Sequence, residues 1–410
     1  MSRTMLSMAV AAVLAAAAPA ASAQPGSEAA KISDGVVKIG LLLDMSSLYA
    51  DITGEGSVTA ARMAIEDFGG KVLGAPIELV FADHQNKPDI ASAKAREWFA
   101  EEKVDMLGDV AASATALAAL EIAKQMNRIA IFNGPGSPRI TNENCTPISV
   151  HYTYDTHALA TSTGRGVLET GGDTWFFLTA DYTFGTSLQK DTTEVIKAGG
   201  GRVLGSVRHP LNTQDFSSFL LQAQSSKAEI LGLANAGGDT INSIKAANEF
   251  GITKTMKLAG LLVFINDVHT LSLEVAQGML LTEAYYWDRD EGSRAFARRF
   301  FERMKKMPNM SQAGVYSSAM HYLKAVEAAG TDETAAVMRA MKSAKINDIF
   351  AKGGFVRGDG RMIHDMYLFE VKKPSESKYR WDYYNVKATV PGEQAFLPVE
   401  QSACPLLKKK

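Results

Sequence analysis

The sequence predicts an α/β protein built as two doubly wound, Rossmann-like lobes. The chain has 410 residues, more than one hydrophobic core usually serves. From residue 36 onward, short apolar runs alternate with amphipathic stretches of helical period. This alternation runs through two successive series, the second starting at Thr174.

The first series opens with Val36 to Leu43, a nearly continuous apolar run of the kind a parallel strand shows when both its faces are covered. A helix follows at Ser57 to Phe68, where Val58, Ala61, Ile65 and Phe68 share one face and Gly69-Gly70 can end it. Strand Ile77 to Ala82 pairs with helix Ile90 to Glu101, and strand Asp105 to Leu107 with helix Ala114 to Met126; strand Arg128 to Phe132 completes the set. The second series runs from strand Thr174 to Thr179 through helix Thr186 to Ala198, strand Arg202 to Val207, helix Phe216 to Gln224, strand Glu229 to Ala234, helix Thr240 to Phe250 and strand Met256 to Leu262. Gln277 to Tyr286 reads as a further strand, and Arg294 to Lys305, Gln312 to Ala329 and Ala335 to Met341 as helices. Late strands are predicted at Arg361 to Val371 and Trp381 to Val386, with Lys372 to Lys378 as the hairpin tip. Ser149 to Asp155 and Tyr285 to Asp288 are the expected crossings between the lobes.

Ahead of these elements, Arg3 followed by the alanine-rich run Met5 to Ala18 and by Ala21-Ser22-Ala23 has the pattern of a secretion signal cleaved after Ala23. The run is shorter than the roughly 20 apolar residues that span a bilayer. Two cysteines, Cys145 and Cys404, in a secreted chain predict a disulfide that ties the C-terminal tail back to the first lobe. Forty-three Lys and Arg against 45 Asp and Glu leave a net charge of −2, without the basic excess that a nucleic-acid partner demands. Lys408 to Lys410 read as a solvated end.

Chemistry-bearing motifs are sparse. The chain has no Cys-x-x-Cys, His-Glu-x-x-His, Gly-x-Ser-x-Gly or Walker-type loop. Gly54-Glu55-Gly56 opens like a dinucleotide fingerprint, but Thr59 stands where the third glycine belongs. The seven histidines, among them His84, His151, His157, His209 and His269, have no metal-ligand spacing. Asp83, Asp181 and Asp239 stand at strand ends without pairing as acid and base. Neither a cofactor, a metal nor an enzymatic activity is expected.

Ligands of open α/β sheets sit at the carboxyl ends of the strands, which directs attention to the loops there. In the first lobe these are Asp44 to Asp51, Val110 to Thr115 and Asn133 to Ser137, small and hydroxyl-rich and leading into helix N-termini suited to an anion. The second lobe offers Asp181 to Gly185, Asn235 to Asp239 and Leu261 to Phe264, where aromatic and apolar residues suit a flat ligand body.

Several stretches resemble a known family. Val37-Lys38-Ile39-Gly40, Gly54, Ala60-Ala61-Arg62-Met63-Ala64, Leu73-Gly74-Ala75-Pro76-Ile77, Asp181-Tyr182-Thr183-Phe184-Gly185, Asp215-Phe216-Ser217 and Ala313-Gly314-Val315-Tyr316 are similar to type I periplasmic solute-binding proteins, in the leucine/isoleucine/valine-binding branch that serves ABC importers. The resemblance covers roughly residues 35 to 390. It implies a Venus-flytrap with a three-strand hinge, monomeric, periplasmic, and delivering a small molecule to a membrane permease. The expected lobes are 35–152 with 288–350 and 153–287 with 351–390, after a signal at 1–23 and before a tail at 391–410.

Position by position, the resemblance places first-lobe contacts near Ser113 and Ser137 and a covering aromatic at Phe184 or Tyr182. The full expected ligand-binding set is Ser46, Ser47, Tyr49, Ala112, Ser113, Asn133, Gly134, Pro135, Ser137, Tyr154, Tyr182, Phe184, Asn235, Ala236, Asp239, Leu262 and Phe264. One departure bears on the ligand. Where amino-acid binders place a carboxylate for the ammonium group, this chain reads Gly260-Leu261-Leu262-Val263. A buried ammonium without an acidic partner is costly, so the expected ligand is a small carboxylate with an apolar or aromatic body. Asp181 or Asp239 could substitute, which leaves an amino acid or amide as the alternative. A sensory module and an enzyme on the same scaffold are the rival readings; the enzyme would need an acid–base pair across the cleft.

Overall fold

The computed structural model describes Met1 and residues 32–407. The expected signal segment, beyond Met1, and Lys408 to Lys410 lie outside the described residues.

Strands β1 (Val37–Leu43), β2 (Lys71–Val72), β3 (Ala75–Asp83), β4 (Met106–Asp109), β5 (Ile129–Phe132) and β6 (Ser149–His151) form a six-stranded sheet in the order β2-β3-β1-β4-β5-β6. β1 pairs in parallel with β3 on one side and β4 on the other. Its near-continuous apolar sequence follows, because helices cover both faces of a parallel sheet. The chain leaves β1 in one direction and β4 in the other, and the loops diverging there open a crevice.

The second sheet repeats the design. β7 (Thr174–Ala180), β8 (Arg202–His209), β9 (Ile230–Ala234), β10 (Lys257–Gly260) and β11 (Leu280–Glu283) are parallel, with β7 between β8 and β9. A small antiparallel sheet comes next in the chain, β12 (Ile346–Asn347), β13 (Lys352–Val356) and β14 (Met362–Ile363). β15 (Met366–Val371) and β16 (Tyr384–Val390) then extend the second large sheet antiparallel, giving the order β16-β15-β11-β10-β9-β7-β8.

Three segments join the lobes: Tyr152–Asp155, Ala284–Asp290 and the stretch entering β15. They are stitched together. His364 Nε2 lies 2.8 Å from the Thr153 carbonyl oxygen, and the Arg361 guanidinium donates to the Tyr154 carbonyl at 3.1 Å. The backbone of His151 bonds Gly360 at 2.9 Å. After β16 the tail folds back over this hinge. Phe396 lies under the Arg361 guanidinium at 4.3 Å, Arg357 donates to the Leu397 carbonyl at 2.9 Å, and Cys404 forms the expected disulfide with Cys145 at a Cα separation of 5.6 Å.

Several boundaries differ from the periodic pattern. The first helix starts at Gly54, three residues early, and that of residues 183–198 begins at Thr183 rather than Thr186. The strand expected over Arg361 to Val371 is broken at His364-Asp365, where the chain passes from β14 to β15. Helix Pro88–Glu97 widens into a π turn at Trp98–Glu102. Among the features that escaped the pattern are strand β2, the helical run 156–169, the short helix Ile265–Leu271 and strands β12 and β13. All are short or built from tertiary pairing.

Candidate functional site

The cavity between the lobes is walled by the loops at the carboxyl ends of both sheets. In the loop after β1, the buried Asp44 carboxylate accepts from the backbone N–H of Ser47 (2.9 Å) and Tyr49 (3.0 Å) and from the Ser47 hydroxyl (2.6 Å). This turn projects Tyr49 onto the wall, with Ile52 beside it. The Ser46 hydroxyl donates to Asp83 at 2.5 Å. Ser46 and Ser47 thus spend their hydroxyls on the loop itself and stand off the wall.

After β4 the backbone takes an unusual course. Asp109, Val110 and Ala112 all adopt positive φ (68°, 52° and 66°), the left-handed region that non-glycine residues enter at a cost. The Thr115 hydroxyl holds the loop by donating to the carbonyl oxygens of Ala111 and Ala112. The turn delivers Ala111, Ala112 and Ser113 to the wall, with Ser113 at the first position of helix Ser113–Met126. The Ser113 hydroxyl is buried without a hydrogen-bond partner.

Gly134, Pro135 and Gly136 follow β5. A Cβ on Gly136 would stand 2.8 Å from the Phe184 ring of the opposite lobe, so only glycine lets the lobes approach this closely. Tyr154 on the first crossing donates its hydroxyl to the Gly134 carbonyl at 2.5 Å. Ser137 lies one residue beyond the wall, its buried hydroxyl also without a partner. Asn133 is buried behind the wall, donating to Ser318 at 3.1 Å.

The second lobe contributes Tyr182, Phe184, Ala236 and Leu262. Tyr182 caps helix Thr183–Ala198, and its hydroxyl meets that of Tyr49 at 2.6 Å across the cleft. The Gly238 N–H donates to the Leu48 carbonyl oxygen at 3.4 Å, a second contact between the lobes. Asn235 turns inward, its amide oxygen accepting from Thr240 at 2.7 Å. Phe264 supports Tyr154 edge-on from behind, with ring centroids 6.2 Å apart.

Ten expected residues therefore reach the cavity: Tyr49, Ala112, Ser113, Gly134, Pro135, Tyr154, Tyr182, Phe184, Ala236 and Leu262. Ser46, Ser47, Asn133, Ser137, Asn235, Asp239 and Phe264 stand outside its lining, whereas Ile52, Ala111 and Gly136, absent from the expected set, belong to it. With the lobes closed the cavity is tight: only about 20 Å³ within it admits the centre of a water molecule, room for a water or two, so a larger ligand enters only as the lobes part.

The wall carries no Asp, Glu, Lys, Arg or His. Buried acids lie behind it. Asp109 accepts from Ser57 at 2.6 Å and is raised to about 7 by burial, and Asp239 accepts from the Asn212 N–H at 3.2 Å and is raised to about 6 by burial. Asp181, at the rim, is exposed and pairs with Arg208 at 3.1 Å. Burial holds the phenols of Tyr49 and Tyr182 above their ordinary range, so both remain neutral donors. Such a wall can envelop and orient a small molecule.

Two lobes hinged on three crossings, closed over a cavity at their sheet ends, define a solute-binding protein. Residues 36–378 match the profile of the periplasmic binding protein family, and the chain belongs to it. The chain is 60% identical to a periplasmic binding protein of Burkholderia mallei, over 92% of this chain and 100% of that one, with a TM-score of 0.90. It is 42% identical to a branched chain amino acid ABC transporter periplasmic ligand-binding protein of Burkholderia xenovorans, over 91% of this chain and 100% of that one, with a TM-score of 0.82. A solute-binding protein of an ABC transporter from R. palustris, in complex with benzoate, shares the fold at 21% identity and a TM-score of 0.81, over 91% of this chain and 100% of that one. Proteins of this family bind small molecules for membrane permeases and are not enzymes. No helix among the described residues is long and apolar enough to cross a membrane.

Proposed function

We propose that the protein captures a small carboxylate with an aromatic body and presents it to an ABC permease. In this reading the carboxylate sits at the N-terminus of helix Ser113–Met126, taking hydrogen bonds from the Ser113 hydroxyl and free backbone N–H groups. Tyr49, Tyr154, Tyr182, Phe184 and Leu262 enclose the ring. The observation that carries the reading is the wall itself: a buried, unpartnered hydroxyl at a helix start, aromatic side chains around it, and no ionised side chain. An amino acid would bring an ammonium with no acid on the wall to receive it. The benzoate complex of the R. palustris protein supports the same ligand class.

The reading places the lobes at 35–152 with 288–350 and 153–287 with 351–390, the small sheet β12–β14 riding on the third crossing. It takes the mature protein as a monomer that begins after cleavage at Ala23. Isothermal calorimetry against benzoate, 4-hydroxybenzoate, benzamide and leucine tests the ligand class. Binding of the two acids, with leucine and benzamide silent, is the expected result; heat from leucine alone would transfer the site to amino acids.

A further inference from the structure

We infer that the paired hydroxyls of Tyr49 and Tyr182 select a ligand that carries a ring hydroxyl in addition to its carboxylate. This rests on the proposed aromatic-acid reading and narrows it.

The two phenols come from facing lobes, one from the loop after β1 and one from the start of helix Thr183–Ala198, and their oxygens are 2.6 Å apart. Among the described residues neither hydroxyl has another hydrogen-bond partner. Two phenols bring two O–H protons, and one bond between them consumes one. A single O–H and several lone pairs are left. Tyr154, on the same wall, has already spent its proton on the Gly134 carbonyl and offers only lone pairs.

The phenolic part of the cavity thus presents one donor together with acceptors, whereas the helix start at Ser113 presents donors. These two patterns call for different ligand groups. A carboxylate only accepts, and the Ser113 hydroxyl and the helix N–H groups match it. A ring hydroxyl both donates and accepts, and it matches the tyrosines. A ligand with hydrogen or methyl in that place would leave the spare phenolic O–H unpaired in a closed, buried site, and sites built to pair a hydroxyl discriminate strongly against analogues lacking it. Burial keeps both phenols protonated, so the donor persists through the physiological pH range.

Holding the lobes together does not by itself account for the pair. The Leu48–Gly238 contact and the packing of Phe184 over Gly136 already join the lobes without it.

The test compares 4-hydroxybenzoate and 3-hydroxybenzoate with 4-methylbenzoate, which replaces the hydroxyl by a group of similar size, by calorimetry on the wild-type protein, Tyr49→Phe and Tyr182→Phe. The wild type is expected to favour at least one hydroxy acid by about tenfold or more, and that ratio to fall below about threefold in each variant. Binding of 4-methylbenzoate shows that a variant is folded. Wild-type protein that takes 4-methylbenzoate as tightly as both hydroxy acids overturns the inference while leaving the aromatic-acid reading intact. So does a parallel weakening of all three ligands at an unchanged ratio in both variants, with thermal melts like the wild type's, which would make the pair a latch and nothing more. Failure of every aromatic acid to bind the wild type overturns the parent reading, and this inference with it.

Discussion

Ser113 is the side chain on which ligand affinity should depend most directly. Its hydroxyl is buried at a helix start with no partner, so its removal costs the ligand-free protein no hydrogen bond. A hydrogen bond to a charged acceptor contributes about 1.5–3 kcal/mol. Ser113→Ala is therefore expected to weaken carboxylate binding by about 10- to 100-fold while the melting temperature of the free protein stays nearly constant. Calorimetry with thermal melts checks both, and an unchanged affinity would remove Ser113 from the anion site. Ser113 and Tyr182 were legible in the sequence because a loop after a strand, leading into a helix, is a local pattern. Ser46 and Ser47 looked equally suitable, but their hydroxyls are committed to Asp83 and Asp44. Ile52, Ala111 and Gly136 carry no chemistry that a sequence could flag; only closure of one lobe on the other gives Gly136 its role.

At the scale of elements, the end of β11 carries a buried acidic pair. Glu283 accepts from the Tyr384 hydroxyl at 2.8 Å and has its other oxygen unpartnered, while Asp267 in the first turn of helix Ile265–Leu271 accepts from the Phe264 N–H at 2.9 Å. Burial raises Glu283 to about 8, with the Asp267 carboxylate adding to the shift, and raises Asp267 to about 7, with Asp51 adding to it. In the unfolded chain both titrate near pH 4. The folded protein thus holds more protons than the unfolded chain between about pH 4 and 8. The stability these groups contribute is complete below about pH 4 and is lost as the pH rises through about 7 to 8. Glu283→Gln keeps an acceptor for Tyr384 and cannot ionise. Its melting temperature should fall less between pH 5 and 8.5 than that of the wild type, and identical slopes would contradict this assignment. The strands and long helices were readable from their apolar period, whereas helix Ile265–Leu271 and strand β2 are too short for a period to register.

Across the whole molecule, the tail forms a fourth link over the hinge. It leaves the second sheet at β16, packs Phe396 on Arg361 and ends in the bond to Cys145, closing a loop with a sequence separation of 259. Loop-closure entropy assigns such a cross-link up to about 5 kcal/mol. For a protein of this size that corresponds to about 3–6 °C in melting temperature. The Cys145→Ser, Cys404→Ser double variant is expected to melt lower by about this amount and still bind ligand, because neither cysteine touches the cavity. Scanning calorimetry reads the shift, and an unchanged Tm would mean that the noncovalent contacts of the tail suffice.

By itself the sequence determined the two α/β series, the loops that face the cleft and the pairing of the cysteines. Each of these is written in local periodicity, in composition or in the identity of a few neighbouring residues. Only the tertiary structure decided which hydroxyls remain free for a ligand, that Tyr49 meets Tyr182, and that Gly136 admits Phe184. Those facts depend on contacts between segments about 50 to more than 130 residues apart, made only when one lobe closes on the other.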